Sequence, residues 1–223
     1  MARRLDGPFG AVEASFASRI AQWVAGHNVL DVGCGFGALV ANLQKRGFNA
    51  VGIDQLEDFI EIGKARYPSA DLRVNIGESL PFPDKSFDTV VLKDTIHHIF
   101  AENDLPGFLT EVRRVCRQRI IVVDPNPTLV LSISRKIINH IDPVCAPDSA
   151  KAALRIAGFR IIHREFHEII AFPLSGGYVG RRLMPRGLAR LVLRIDDFIL
   201  KILRWCKCER FLCWRYMLIG ELA

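Results

Sequence analysis

Asp31, Gly33, Gly35 and Gly37 follow one another at intervals of two, behind the apolar run Val29-Leu30 and ahead of Ala38-Leu39-Val40. Glycine accepts positive φ and lets a backbone come close to a ligand, because no Cβ stands in the way. A helix starting directly after such a loop turns its N–H groups and positive dipole end toward that ligand. The pattern predicts a site for a polar, nucleotide-like molecule. A second acid, Asp54, closes the short apolar run Ala50–Ile53. A carboxylate there can accept both hydroxyls of a ribose, and it can also cap the helix that follows. A third group, Lys93, Asp94, His97 and His98, follows the apolar run Phe87–Leu92. Neutral imidazole is a good proton acceptor near pH 7. His97, His98 and Asp94 are therefore the candidate catalytic side chains, with His140 and His167 behind them.

A dinucleotide site would want Gly-x-Gly-x-x-Gly and an acid about 20 positions on. Ala38 could replace the last glycine of that pattern. Asp31, two positions before the first glycine, is foreign to it, and Gly37 sets an alternating rhythm instead.

These groups need a scaffold that brings three loops together. Apolar patterning predicts a helix over 11–25 and strands at 29–32, 50–53, 72–75, 87–92, 120–123, 160–166 and 214–219. Further helices are predicted over 39–46, 56–66, 105–115, 128–141, 150–157 and 186–207. Asp148 or Ser149 is expected to cap the helix at 150, and Gly158 to end it. Continuous apolar strands alternating with helices predict a doubly wound α/β fold built on a parallel sheet.

The motifs resemble those of class I S-adenosylmethionine-dependent methyltransferases of the type-11 group, which includes ubiquinone and menaquinone biosynthesis enzymes. The resemblance rests on Leu30-Asp31-Val32-Gly33-Cys34-Gly35-Phe36-Gly37, Gly52-Ile53-Asp54, Leu80-Pro81-Phe82-Pro83-Asp84 through Val91, and His97-His98-Ile99. It covers roughly residues 10–170. It implies a mostly parallel seven-stranded Rossmann-like sheet whose last strand is antiparallel, and S-adenosylmethionine as cofactor. It also implies a cofactor shell of Asp31, Gly33, Cys34, Gly35, Gly37, Asp54, Gln55, Ile76, Gly77, Glu78 and Lys93. Asp31 would hold the ammonium, Asp54 the ribose, and the 76–78 segment the adenine. One departure stands out: Ile76 occupies a position where the family usually has Asp, so Glu78 or a backbone carbonyl would take the adenine contact.

The chain of 223 residues, half of them apolar, suits a single globular domain spanning 1–223. No apolar run reaches the length of a membrane span, and Met1–Asp6 has no signal-type apolar stretch behind it, so a cytoplasmic location is expected. Cys206, Cys208 and Cys213 lack a convincing fourth ligand, so no metal is expected. Residues 1–171 hold 20 basic and 20 acidic side chains; residues 172–223 hold 10 and 4, so the whole net charge of +6 sits in the last quarter.

That quarter contains the largest departure from a minimal fold, an insert over 172–211 between the sixth and seventh strands. Its helix carries a narrow polar stripe, Arg190, Arg194, Asp197, Lys201 and Arg204, and is apolar elsewhere. Three readings stand open: a structural cap, a lid forming an apolar substrate pocket, and an interfacial helix meeting anionic lipid at the periphery of a membrane. The expected acceptor is a small lipophilic or aromatic molecule. Asn/Asp-Pro-Pro-Tyr is missing after the fourth strand and the basic residues lack aromatic interleaving, so a nucleic-acid acceptor is disfavoured. An RNA or protein methyltransferase, and a non-catalytic binding module, are the alternatives.

Overall fold

The computed structural model describes residues 7–75, 79–101, 105–137, 143–176 and 183–222. Seven strands form one sheet: β1 (Asn28–Val32), β2 (Asn49–Asp54), β3 (Asp71–Val74), β4 (Phe87–Lys93), β5 (Cys116–Pro125), β6 (Phe159–His167) and β7 (Arg215–Leu222). Their order is β3-β2-β1-β4-β5-β7-β6. All pairings are parallel except those of β7, which runs antiparallel to β5 and β6. Strand order reverses between β1 and β4, and in such sheets ligands bind in the crevice beyond the carboxyl ends at that point.

Alternation along each strand sorts the core into two layers. Leu30, Val90, Leu92, Ile120, Val122 and Leu218 face one side. There they pack with α4 (Ile96–Ala101), α5 (Leu105–Val115) and α7 (Pro147–Ile156). Val29, Val91, Ile121, Val123, Met217 and Ile219 face the other. They meet α1 (Pro8–Trp23), α2 (Ala38–Gln44) and α3 (Glu57–Arg66). Period-2 alternation thus assigns every residue at a strand end to one layer or the other, which decides what each polar residue there can reach. The remaining helix before β6 is α6 (Leu129–Ile137).

The chain between β6 and β7 holds α8 (Ala171–Ser175), a 3₁₀ turn at Arg186–Leu188, α9 (Ala189–Trp205) and α10 (Glu209–Leu212). The excursion leaves the sheet intact. His167 pairs with Arg215 at its base, and Trp214 donates from its backbone to Glu168 O and from Nε1 to Ile169 O, at 2.8 and 2.7 Å. Lengthening a loop whose ends are already fixed costs little entropy.

One expectation needs correction. Neither Asp148 nor Ser149 caps α7: the cap position is Ala146, which makes no side-chain cap bond, and Pro147 opens the helix with Asp148 in its first turn. Proline suits that first position because its missing N–H would go unused there. His97 and His98, which fall in no predicted element, lie on α4, a helix too short for its periodicity to stand out. In α9 only Ala189, Asp196 and Leu200 are buried, so most of its apolar surface is left uncovered among the described residues. The end of the helix predicted over 128–141 lies outside the described residues.

Candidate functional site

The glycine loop is built as its spacing requires. Gly33, Gly35 and Gly37 have φ of 76°, 54° and 74°, a region that L side chains avoid. A Cβ at Gly33 would collide with Thr95 and one at Gly37 with Leu72, so these two glycines allow close packing within the protein. A Cβ at Gly35 would meet nothing within 4 Å. Gly35 is thus where the loop lies open to a ligand. The loop amides are largely used internally, which the dipole argument did not foresee. Gly33 and Cys34 donate to Ile53 O, at 2.9 and 3.0 Å, and Gly37 donates to Cys34 O at 2.9 Å.

Asp54 ties the loop to β2. Its Oδ2 accepts from Gly35 N at 2.8 Å and its Oδ1 from Leu56 N at 2.9 Å. Both carboxylate oxygens retain further lone pairs for ligand hydroxyls. Gln55 beside it is exposed. Cys34 packs over Gly52; burial, with the Asp31 and Asp54 carboxylates, pushes its thiol pKa up, so it stays protonated and unreactive.

Asp31, at the carboxyl end of β1, is 2% exposed, and its Oδ1 finds no hydrogen-bond partner. Burial pushes its pKa up to about 7, with Lys93 opposing and Asp54 and Asp94 adding to the rise. An orphaned buried carboxylate oxygen is costly unless a donor or cation reaches it. Asp94 carries a second such oxygen, also Oδ1. Asp94 itself sits at φ 54°, a strained conformation for a non-glycine residue.

Around Asp94 the α1 layer holds a partly buried charge network. Lys93 Nζ lies 2.8 Å from Glu13 Oε2 and 2.9 Å from Asp94 Oδ2. Arg215 reaches Asp94 Oδ2 at 2.8 Å, Glu13 Oε1 at 3.1 Å and Glu168 Oε2 at 3.2 Å. Its guanidinium also lies over the ring of Phe172, 4.3 Å from the centroid. Burial works against all these charges, yet the two cations hold Asp94 down at about 2, while Asp94 and Glu13 hold Lys93 above its ordinary value. Glu168 goes the other way, up to about 7, because burial outweighs Arg215.

On the other layer, His97 Nδ1 lies 2.7 Å from Asp124 Oδ1, both side chains buried. Burial raises Asp124 to about 6, against the pull of His97. A proton shared on the Nδ1 side leaves Nε2 as the acceptor of the ring. His98 is exposed, its ring centroid 4.1 Å from that of His97.

The structure therefore gathers Asp31, the glycine loop, Asp54, Lys93, Asp94 and the His97–Asp124 pair at the carboxyl ends of β1, β2, β4 and β5. Ile76, Gly77 and Glu78 lie outside the described residues, as does His140. His167 lies elsewhere, 2.7 Å from Glu165. Sequence reasoning missed Glu13, Asp124, Glu168 and Arg215. Asp124 could have been found as an acid ending an apolar strand, and Arg215 as the lone cation inside one. Glu13 and Glu168 carried no comparable signal. Among the described residues no group of His, Cys, Asp and Glu could hold a metal ion.

The donor set fits S-adenosylmethionine. Two buried carboxylate oxygens want positive charge, and the molecule carries an ammonium and a sulfonium. The open face at Gly35 adjoins Asp54, the expected hydroxyl acceptor.

Comparison with known proteins agrees. Residues 30–124 match the family model of a methyltransferase domain. A probable S-adenosylmethionine-dependent methyltransferase of Mycolicibacterium smegmatis is 38% identical over 102 residues, 44% of this chain and 37% of that protein. A demethylmenaquinone methyltransferase of Tropheryma whipplei is 32% identical over 105 residues, 45% of this chain and 42% of that protein. The chain thus spans about two fifths of the length of these relatives. The fold matches a crystal structure of a methyltransferase from Archaeoglobus fulgidus with a TM-score of 0.67 at 22% identity, covering 94% of this chain and 93% of that one.

Proposed function

Because residues 30–124 match the family model of a methyltransferase domain, we propose that the chain is an S-adenosylmethionine-dependent methyltransferase of the type-11 group that transfers a methyl group to a small lipophilic or aromatic acceptor. The cofactor supplies a methyl on a sulfonium sulfur, open to in-line attack. Asp31 takes the ammonium on its orphaned Oδ1. Asp54 takes the ribose hydroxyls while holding the loop through Gly35. Asp94, ionised down to about pH 2, acts as a fixed anion facing developing or resident positive charge rather than as a base. Lys93 is a positioning residue: its ammonium orients Asp94 and ties β4 to α1.

His97 is the candidate base. Asp124 orients its ring and favours the tautomer whose Nε2 accepts a proton. A base matters when the nucleophile is a hydroxyl or an acidic carbon, as on a quinol ring; the similarity to a demethylmenaquinone methyltransferase supports an acceptor of that kind. Exposed His98 beside His97 lines the approach. The 172–211 insert is read as a cap over the acceptor side, since Glu168 and Arg215 at its base reach Asp94 through the charge network.

The observation that carries the proposal is the buried, unpartnered Asp31 Oδ1 beside the open face of Gly35. The test is methyl transfer from labelled S-adenosylmethionine to a panel of reduced quinones and other phenolic lipids. Turnover that disappears in Asp31→Asn and falls in His97→Ala is the expected result. Turnover on RNA or protein with none on the panel would overturn the acceptor class.

A further inference from the structure

We propose that the outward face of α9 docks on an anionic lipid bilayer, lying flat at the headgroup level. Leu188, Leu191, Ile195, Phe198, Ile202 and Trp205 recur at alternating intervals of three and four, which places them along one line of the helix surface. All six are exposed, Phe198 at 64% and Trp205 at 85%. The inward face is held from the opposite side. Leu200 joins the core, and buried Asp196 accepts from the backbone N–H groups of Ile169, Ile170 and Ala171 at 3.1, 2.6 and 2.9 Å. This anchor caps α8 and fixes the rotation of α9, so the apolar line cannot turn inward without breaking three hydrogen bonds.

Charge selects the occupant. One flank of the apolar line is cationic: Arg190, Arg194 and Lys201 are exposed and make no ion pair among the described residues. The two other charges on that flank that are paired, Asp197 with Arg19 and Arg204 with Glu165, secure the helix to α1 and β6. Phe211 and Leu212 on α10 and Leu129 and Ile133 on α6 are exposed as well, and α10 packs on both α6 and α9. A large apolar face bordered by cations is the make-up of an interfacial helix, with Trp at its edge and cations reaching phosphate headgroups. No helix among the described residues is long and apolar enough to cross a membrane.

A second copy of the chain fits less well. In a seam along this line Arg194 and Lys201 flank one side, and Val192 and Ile199 the other. Antiparallel pairing sets cations against cations, and parallel pairing sets them against aliphatic side chains, so neither arrangement has the complementary charges that guide helix pairing. The helix has 17 residues, short of the three to four heptads that sustain a coiled coil.

The experiment mixes the full chain with vesicles of phosphatidylcholine alone or with phosphatidylglycerol added. Sedimentation and the emission of Trp205 are read, with Trp205→Phe identifying the source of the signal. Binding to the anionic vesicles with a blue shift is expected, falling about tenfold or more in Phe198→Glu and, through charge alone, in Arg194→Glu/Lys201→Glu. Calorimetric titration with S-adenosylmethionine verifies that each variant keeps its fold and its methyl-donor site. Binding absent from both vesicle types in protein that still takes up cofactor overturns the proposal. So does a concentration-dependent dimer that Phe198→Glu dissolves, which would assign the face to a second copy.

Discussion

The carboxyl edge of the sheet and the outer face of α9 break the same rule in opposite directions. At the sheet edge the protein buries charge: Asp31, Glu168 and Arg215 stand among apolar layers beside half-buried Asp94, with carboxylate oxygens on Asp31 and Asp94 left unpartnered. On α9 it exposes Leu191, Phe198 and Trp205. Folding alone rewards neither arrangement, since buried unpaired charge is costly and exposed apolar surface forgoes burial. On the readings proposed above, each answers to a partner of matching chemistry: a small cation-bearing molecule at the sheet edge, a broad apolar and anionic surface at α9. The two regions share α1, whose Glu13 reaches Lys93 and whose Arg19 pairs with Asp197.

The largest effect that could break this contrast is expected at Asp31. Asp31→Asn removes an ionisable group whose pKa burial raises from 3.8 to about 7. A carboxyl raised on folding contributes its penalty as pH climbs above the unfolded value, and the penalty is complete above the folded one. At pH 8 the variant free of cofactor should therefore be more stable, by roughly 2–4 kcal/mol, yet bind S-adenosylmethionine at least about 100-fold more weakly. Denaturant titration and calorimetry check the two halves. Lost stability would mean that Asp31 supports the fold rather than the ligand.

Next comes His97. His97→Ala should lower kcat by about 10²-fold or more while leaving cofactor affinity unchanged; equal loss in both would make it part of the pocket wall. Asp54→Ala should weaken cofactor binding by about tenfold or more, because it removes hydroxyl acceptors and frees Gly35 N. Unchanged affinity would refute the ribose role. The smallest effect belongs to α9: Phe198→Glu should change stability by no more than about 0.5 kcal/mol, since that side chain is largely exposed. A large loss of stability would place it in a packed interface.

The two regions also differ in how far they could be read from sequence. The glycine loop, the place of Asp54 and the alternation of strands with helices were legible because local spacing dictates them: positive φ demands glycine, and apolar runs interrupted by helices demand a doubly wound sheet. The charge network was not, because Glu13, Lys93 and Arg215 come from distant elements and meet only once strand alternation points them to the same layer. Helix 186–207 was legible as amphipathic, and its residues Ala189–Trp205 do form α9. Which of its faces turns inward was not, since the deciding contact is polar: Asp196, which reads as surface by type, is the buried anchor.

The most direct measurement is calorimetric affinity for S-adenosylmethionine in the wild-type protein and Asp31→Asn between about pH 5.5 and 7, below the range in which an α-amino group loses its proton. With Asp31 at about 7 in the free protein, wild-type affinity should rise by about tenfold across that window as the carboxylate ionises, and the variant should bind weakly with no such rise. A pH-independent wild-type affinity, or a variant that binds as tightly as the wild type, would contradict the assignment of the buried carboxylate to the methyl donor.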